Sequence, residues 1–502
     1  MFNRGFRNNE DSRDEFSVRR MKLWDNDSSA FVVLLVLSAA LIYFTPPTIS
    51  RVAYLGFLYF AYRSGRDYLW LAFLFVLYDS PNYFYFGGLA SDPNRVPIYQ
   101  YARGLSLTFQ DLLIMVLVYK AVRIGKQGEV IYARELRAFL VFMAIVFLYS
   151  FLFGVGFKDV ALTVRYLIPL SLLFYLPRLL PKRSDWISLM KLLMPIVLFA
   201  LVGQLYYITT ATPLAALVDH SILSKVNSNF VASMNVGLSR FYTAPFIGLV
   251  VFIGTMYLLS YRDHEIPPVY LLTVMLAAAA QALLSATRGY IIAYLFMLML
   301  WLLLQKGSDK QKYIAVSLLL LVGLGLYLSS NPVFMRQSER SFARLETVEY
   351  LLKGDPTADG TLMRLTVRTP RVLAAFQESP IIGLGFSGEF YRHADDHVAY
   401  PNLLLNFGIV GFVVFNLLLF TMVFKMYGFR ADDLTGSQLY HRIFLIGFLG
   451  LLIIHSSSRQ IFGVPVPSYV SFMVVIFFSF WNAIISDEFN QRVDELESNE
   501  AV

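Results

Sequence analysis

The chain contains no cysteine, which removes disulfides, thiol nucleophiles and thiolate metal sites together. Charge is scarce as well. Only 15% of the 502 residues are Asp, Glu, Lys or Arg, against roughly 25% in a soluble domain. Histidine occurs six times. There is no P-loop, no Rossmann glycine fingerprint and no Ser-His-Asp order, so the commonest nucleotide-binding and hydrolase signatures are excluded. A cleavable signal peptide is not expected either. The first thirty residues mix acids and bases, and no small-residue cleavage site follows the first apolar run.

Apolar sequence fills the remainder, at 57% of all residues. Runs such as FVVLLVLSAALIYF (31–44), VSLLLLVGLGLYL (316–328) and SFMVVIFFSFWNAII (471–485) recur along the whole length. With its flanks, each approaches the ~20 residues that a helix needs to cross a bilayer. The expected fold class is therefore all-α, a polytopic transmembrane bundle of about fourteen spans, rather than a barrel of short alternating strands. The spans fall near 30–45, 50–62, 67–86, 107–122, 137–154, 160–178, 189–209, 241–260, 267–285, 288–305, 312–329, 402–426, 441–457 and 466–485. The chain divides accordingly into an N-terminal tail 1–29, helices over 30–329, a large loop 330–401, three further helices over 402–485, and an acidic tail 486–502.

The lysines and arginines of the short connections set the orientation. They cluster at Arg19–Lys22, Arg63–Arg66, Lys120–Arg137, Arg178–Lys191, Lys306–Lys312 and Lys425–Arg442. All lie on one side of these spans, which makes both termini cytoplasmic and the loop 330–401 extracytoplasmic. The net charge of +7 thus reports topology, and no nucleic-acid partner is expected.

The loop 330–401 is long for a compact chain and not low in complexity, which marks it as functional. Thr369-Pro370 reads as a helix start, Thr as cap and Pro in the first turn. Pro380 and "IIGLGFSGEF" read as a stop and a glycine-bent turn. Arg336, Arg340 and Arg344 would share one helix face. Arg364, Arg368 and Arg371 lie further along. Nearby carboxylates allow all of these to be solvated surface pairs. The alternative is that several clamp a phosphate, for which planar, permanently charged guanidinium groups are suited. Four more arginines stand at outward helix ends: Arg165, Arg240, Arg288 and Arg459. Snorkelling to the interface would account for each singly. Their convergence on the side of the long loop points to anion binding. His397 follows Asp395 and Asp396, and an imidazole beside carboxylates can serve as a general base. It could equally be a surface histidine at a helix start. His393 and His397 with the two aspartates suggest a metal site only weakly, since no third ligand type accompanies them. No cofactor is expected. Asn402 reads as a local hydrogen-bonding residue, and Gly408 and Gly411 as packing positions.

Several of these stretches together resemble the O-antigen ligase and polymerase superfamily. "FQESPIIGLGFSGEF" followed by "HVAYPNLLLNFGIVG" is similar to its proline-bounded glycine turn and histidine-led helix. "SATRGYIIAYL" resembles its Ser-x-Arg-Gly element, "SRFYTAPFIGLV" its Arg-Phe-Pro element, and "RLTVRTPRVLAAF" the arginine-bearing helix before the turn. The order of these elements over about 160–426 agrees. The chain departs from the pattern at Val398, where an asparagine often follows the histidine, at Asn406, near which an acid often stands, and at Phe246 after Pro245.

The resemblance implies a metal-independent membrane glycosyltransferase of the GT-C type at the periplasmic face of the bacterial inner membrane. Its donor would be an undecaprenyl-diphosphate-linked glycan, and its acceptor another glycan. Arg288, Arg165, Arg240, Arg364, Arg368, Arg371 and Arg459 would bind the diphosphate and glycan. His397 would be the base, with Asp395, Asp396 or Glu389 as substitutes. A chain-length regulator and a flippase of the same pathway are the implied partners. Polymerisation of repeat units is the leading reading. Ligation of the finished glycan to lipid A-core or protein is the alternative. A flippase is a third, which would spread polar residues through the depth of several helices instead of gathering them at one face.

Overall fold

The computed structural model describes residues 26–79, 98–102, 105–124, 130–210, 214–217, 245–261, 264–285, 287–305, 310–315, 329–330, 364–428, 437–463, 466 and 468–500, with isolated positions between 332 and 354. Arg240, Arg336, Arg340, Arg344 and most of the expected span 312–329 lie outside the described residues.

Helices dominate. They are α1 (Asn26–Phe44), α2 (Pro47–Arg63), α3 (Asp67–Tyr78), α4 (Phe109–Ile124), α5 (Ala133–Ser150), α6 (Phe157–Leu179), α7 (Arg183–Thr210), α8 (Pro245–Ser260), α9 (Pro268–Leu284) and α10 (Arg288–Leu304). After the long loop follow α11 (Thr369–Phe376), α12 (Gly388–His393), α13 (Ala399–Gly428), α14 (Ser437–Ser457) and α15 (Ser468–Glu500). Seven of the described helices are long and apolar enough to cross a membrane. The chain is thus an all-α bundle of membrane type, as its apolar periodicity requires. One strand pair interrupts it, β1 (Ile98–Ala102) antiparallel to β2 (Leu105–Thr108). That hairpin was not expected in the connection 87–106.

Helix α15 forms the axis. Its membrane-length window is 89% buried, whereas those of α1 and α5 are 22% buried. Trp481 and Phe480 of α15 anchor the core, Phe480 stacked on Trp186 of α7 with centroids 5.5 Å apart. Small residues let neighbours close in, as lipid-embedded helices require. A Cβ at Gly450 of α14 would strike the Met297 side chain of α10, and one at Gly447 would meet Ile253 of α8 at 2.9 Å.

Ion pairs gather at both ends of the bundle. At one end lie the ion pairs Arg66–Asp27 (2.7 Å), Lys120–Asp67 (2.5 Å), Arg183–Asp487 (3.4 Å) and Lys425–Glu135 (3.0 Å). These basic residues belong to the short-connection clusters that set the orientation. The segment 364–398 sits at the other end, against the C-terminus of α5 and the first turns of α6. Ser150 Oγ accepts the Phe386 N–H at 2.7 Å, and Thr163 Oγ1 and Tyr391 Oη are 2.7 Å apart.

Two local expectations change. Thr369 is not a cap: the chain is already helical through the π-turn Arg364–Arg368, and Pro370 occupies the first turn of α11. The expected unbroken span 402–426 is broken. Gly408 has φ 64° and ψ −174° inside α13, a conformation that only glycine adopts without strain. Gly408 is therefore a break as well as a close-packing position, where a Cβ would strike the Ile381 carbonyl. Gly411 remains a close-packing residue, its absent Cβ facing Phe407 and Phe142.

Candidate functional site at the loop end of the bundle

The turn Asp395–Val398 enters α13, and a buried amide builds it. Asn402, fully buried, accepts the Asp395 N–H through Oδ1 at 2.9 Å. Its Nδ2 donates to the Asp395 carbonyl at 2.7 Å and to Gln460 Oε1 at 2.9 Å. The Gln460 N–H donates to the Asp396 carbonyl at 2.8 Å. Asn402 and Gln460, both at 0% exposure, thereby fasten the aspartate turn to the α14–α15 connection. A buried amide must find such partners, because leaving it unsatisfied costs about 1–3 kcal/mol.

Around this turn the charges interlock. Arg368 Nη1 lies 3.3 Å from Asp395 Oδ1 and Arg371 Nη2 lies 2.9 Å from Asp395 Oδ2. The His397 N–H also donates to Asp395 Oδ1, at 3.0 Å. Both Asp395 oxygens are thus engaged, and the side chain holds two arginines and the turn. Asp396 Oδ2 takes Arg459 Nη2 at 2.7 Å, and the Arg459 guanidinium lies 5.1 Å over the Tyr469 ring. On its other side Asp396 Oδ1 stands 3.8 Å from His397 Nε2. That separation exceeds a hydrogen bond, so Nε2 is placed to meet a proton from elsewhere.

The His397 side chain is 47% exposed. Burial of its inner side lowers its pKa below the ordinary 6.5, Asp396 pulls the other way, and Arg368 adds to the lowering. The lowered pKa favours the neutral ring, the form that can accept a proton.

Arg364 departs from the expected role. Its Nη1 donates to the Ser457 carbonyl and its Nη2 to the Ser458 carbonyl at 2.6 Å. It caps the C-terminus of α14, where unpaired carbonyls and the helix dipole favour a cation. Arg288 opens α10 against the same helix end, since a Cβ on Gly289 would strike Ser457 and Ser458. Arg165 is exposed on α6. The charges of both Arg165 and Asp396 act on Tyr166, which puts Arg165 on the aspartate side of the bundle. Glu389 is paired with Arg392 at 2.7 Å and His393 at 2.8 Å. His393 ends α12 while His397 lies beyond a loop, so the two do not form a helical i, i+4 pair. Among the described residues no three His, Asp or Glu converge as metal ligands.

The structure therefore gathers His397, Asp395, Asp396, Arg368, Arg371 and Arg459 directly, with Arg288, Arg364 and Arg165 around them. Sequence reasoning missed Gln460 and Tyr469. A buried amide beside Arg459 in "SRQIF" was a faint sign of the first, and nothing in sequence marks the second. The assembly can hold an anion on fixed guanidinium groups next to a neutral imidazole. No family model, curated protein or solved structure matches the chain.

Proposed function

We propose that the chain is a metal-independent membrane glycosyltransferase of GT-C type with about fourteen spans. It polymerises polyprenyl-diphosphate-linked oligosaccharide repeats on the periplasmic face of the bacterial inner membrane. The observation that carries this reading is the juxtaposition at one bundle end: arginines fixed by Asp395 and Asp396, and a neutral, half-exposed His397 beside them. The motif resemblance over 160–426 supplies the reaction class.

In this reading the donor diphosphate lies against Arg371, Arg368 and Arg288. The acceptor hydroxyl oxygen bonds to the anomeric carbon as that carbon's bond to the diphosphate oxygen breaks. The hydroxyl proton passes to His397 Nε2, and Asp396 steadies the imidazolium. The departing polyprenyl diphosphate keeps the electron pair, and preorganised guanidinium donors stabilise its charge. Both aspartates hold arginines, which supports His397 as the proton acceptor.

Deletion of the gene tests polymerisation. The strain should carry lipid A bearing single repeats in place of long chains. Loss of all glycan from lipid A would assign ligation instead, and an unchanged glycan profile would overturn the reading.

A further inference from the structure

The break at Gly408 frees two carbonyls and two N–H groups from α13, and a single turn takes all four. The Leu384 N–H donates to the Leu405 carbonyl at 2.8 Å and the Gly385 N–H to the Asn406 carbonyl at 2.9 Å. Across the break, the Ile409 N–H donates to the Pro380 carbonyl at 2.9 Å and the Val410 N–H to the Ile381 carbonyl at 3.1 Å. Three further bonds hold the turn. Tyr149 Oη donates to the Ile382 carbonyl at 2.6 Å, the Gly383 N–H to the Ser379 carbonyl at 2.9 Å, and the Phe386 N–H to Ser150 Oγ at 2.7 Å. Surface turns leave such groups to water. Irregular backbone at membrane level must satisfy them within the protein.

The side chains of the same turn are apolar and uncovered. Ile381 is 66% exposed and Ile382 38%, next to Ile409 at 53% and Val410 at 57%. This patch continues down the outer face of α13 through Val413 and Leu417. Its level in the bilayer follows from length. From Ile409 to Tyr427 the helix measures about 29 Å at 1.5 Å per residue, close to the ~30 Å hydrocarbon core. Gly408 therefore stands at the boundary where α13 enters hydrocarbon. Phe151 and Leu152, at the end of α5 that touches the turn, are likewise exposed.

We infer that the Pro380–Ile382 turn is inserted among the lipid acyl chains of the leaflet at the loop end, a lipid-docking surface that moors the segment 364–398 to the membrane. The occupant is bilayer lipid, because the patch is continuous with the lipid-facing side of α13 and the four backbone groups freed by the break are satisfied by the turn itself. Mooring also holds the turn Asp395–Val398, which precedes Gly408 by nine residues of α13, about 14 Å of helix at 1.5 Å per residue. The inference stands independently of any glycosyl chemistry.

The absence of native cysteine permits a direct test. Ile381→Cys and, separately, Ile382→Cys are made in the full chain, reconstituted in phosphatidylethanolamine–phosphatidylglycerol vesicles, with Arg371→Cys as the aqueous reference. A charged, water-soluble maleimide should react at least tenfold more slowly at 381 and 382 than at 371. A fluorophore attached at 381 or 382 should be quenched by lipids carrying a nitroxide on the acyl chain, and one at 371 should not. Equal maleimide rates with no lipid quenching at either isoleucine position would overturn the inference. Fast labelling in pure lipid combined with protection in native membranes would also overturn it, in favour of a protein cover.

Discussion

Replacing Gly408 by alanine should loosen the loop from the bundle, and the size of the effect can be worked from two separate costs. Gly408 has φ 64°, and a non-glycine residue in the left-handed region costs about 1–2 kcal/mol. The second cost is contact. A Cβ there would collide with the Ile381 carbonyl and the Ile382 N, which are backbone atoms held by the turn and cannot swing aside. To admit the methyl group, the turn must retreat and give up some or all of its four hydrogen bonds to α13. At about 0.5–1.5 kcal/mol each, losing all four would cost about 2–6 kcal/mol and losing one about 0.5–1.5 kcal/mol. Gly154 is the control. It has φ 72°, but a methyl group added there would meet nothing within 4 Å, so Gly154→Ala carries only the first cost. Amide hydrogen exchange of the two variants in nanodiscs separates them. Peptides covering 380–386 and 405–411 should exchange at least tenfold faster in Gly408→Ala than in Gly154→Ala, since 1.4 kcal/mol is a factor of ten. Equal exchange in the two variants would refute the stapled break.

Other expectations follow from the site. His397→Ala should lower turnover about 10²–10⁴-fold, the usual contribution of one acid–base group, with donor binding retained in an equilibrium assay. Because burial lowers the His397 pKa below the ordinary 6.5, turnover should fall with a midpoint below that value as the ring takes its proton; a midpoint above 6.5 would contradict the assignment. Arg364→Ala should destabilise the junction of π-turn and α14, by about 1–3 kcal/mol for the buried carbonyls it leaves, while donor affinity of the folded fraction is unchanged; equal stability with weakened donor binding would make it a ligand residue after all. Arg459→Lys should rescue Arg459→Ala poorly in turnover, since an ammonium cannot both stack on Tyr469 and pair with Asp396 as a planar guanidinium does.

Hydropathy made the bundle legible. Described helices cover the expected spans at 160–178, 189–209 and 441–457, because hydrocarbon demands length and apolarity that local sequence carries. Charge placement along the short connections likewise anticipated the end that gathers Lys120, Arg183 and Lys425. What failed was whatever depends on a distant partner. Gly408 was legible as a close-packing glycine but not as a break, because its sign of φ is set by residues 380–385, which approach it only in the fold. Arg364 looked like its neighbours Arg368 and Arg371, since three guanidinium groups in one stretch are indistinguishable until one of them meets a helix end. Asp395 and Asp396 are adjacent and chemically alike. The fold gives one to two arginines and the other to Arg459 and His397, which no local pattern encodes. Asn402 was readable as a local hydrogen-bonding residue because it stands early in an apolar helix, although its bond to Gln460 was not.

The most direct test is turnover by the purified chain in nanodiscs, with a polyprenyl-diphosphate-linked oligosaccharide as both donor and acceptor and chelator present throughout. Wild type should convert the single repeat into a ladder of lipid-linked multiples and release polyprenyl diphosphate in step, while Arg288→Ala and His397→Ala yield neither. A wild-type chain that leaves the donor unconsumed, or a ladder undiminished in both variants, would contradict the proposed activity and its site.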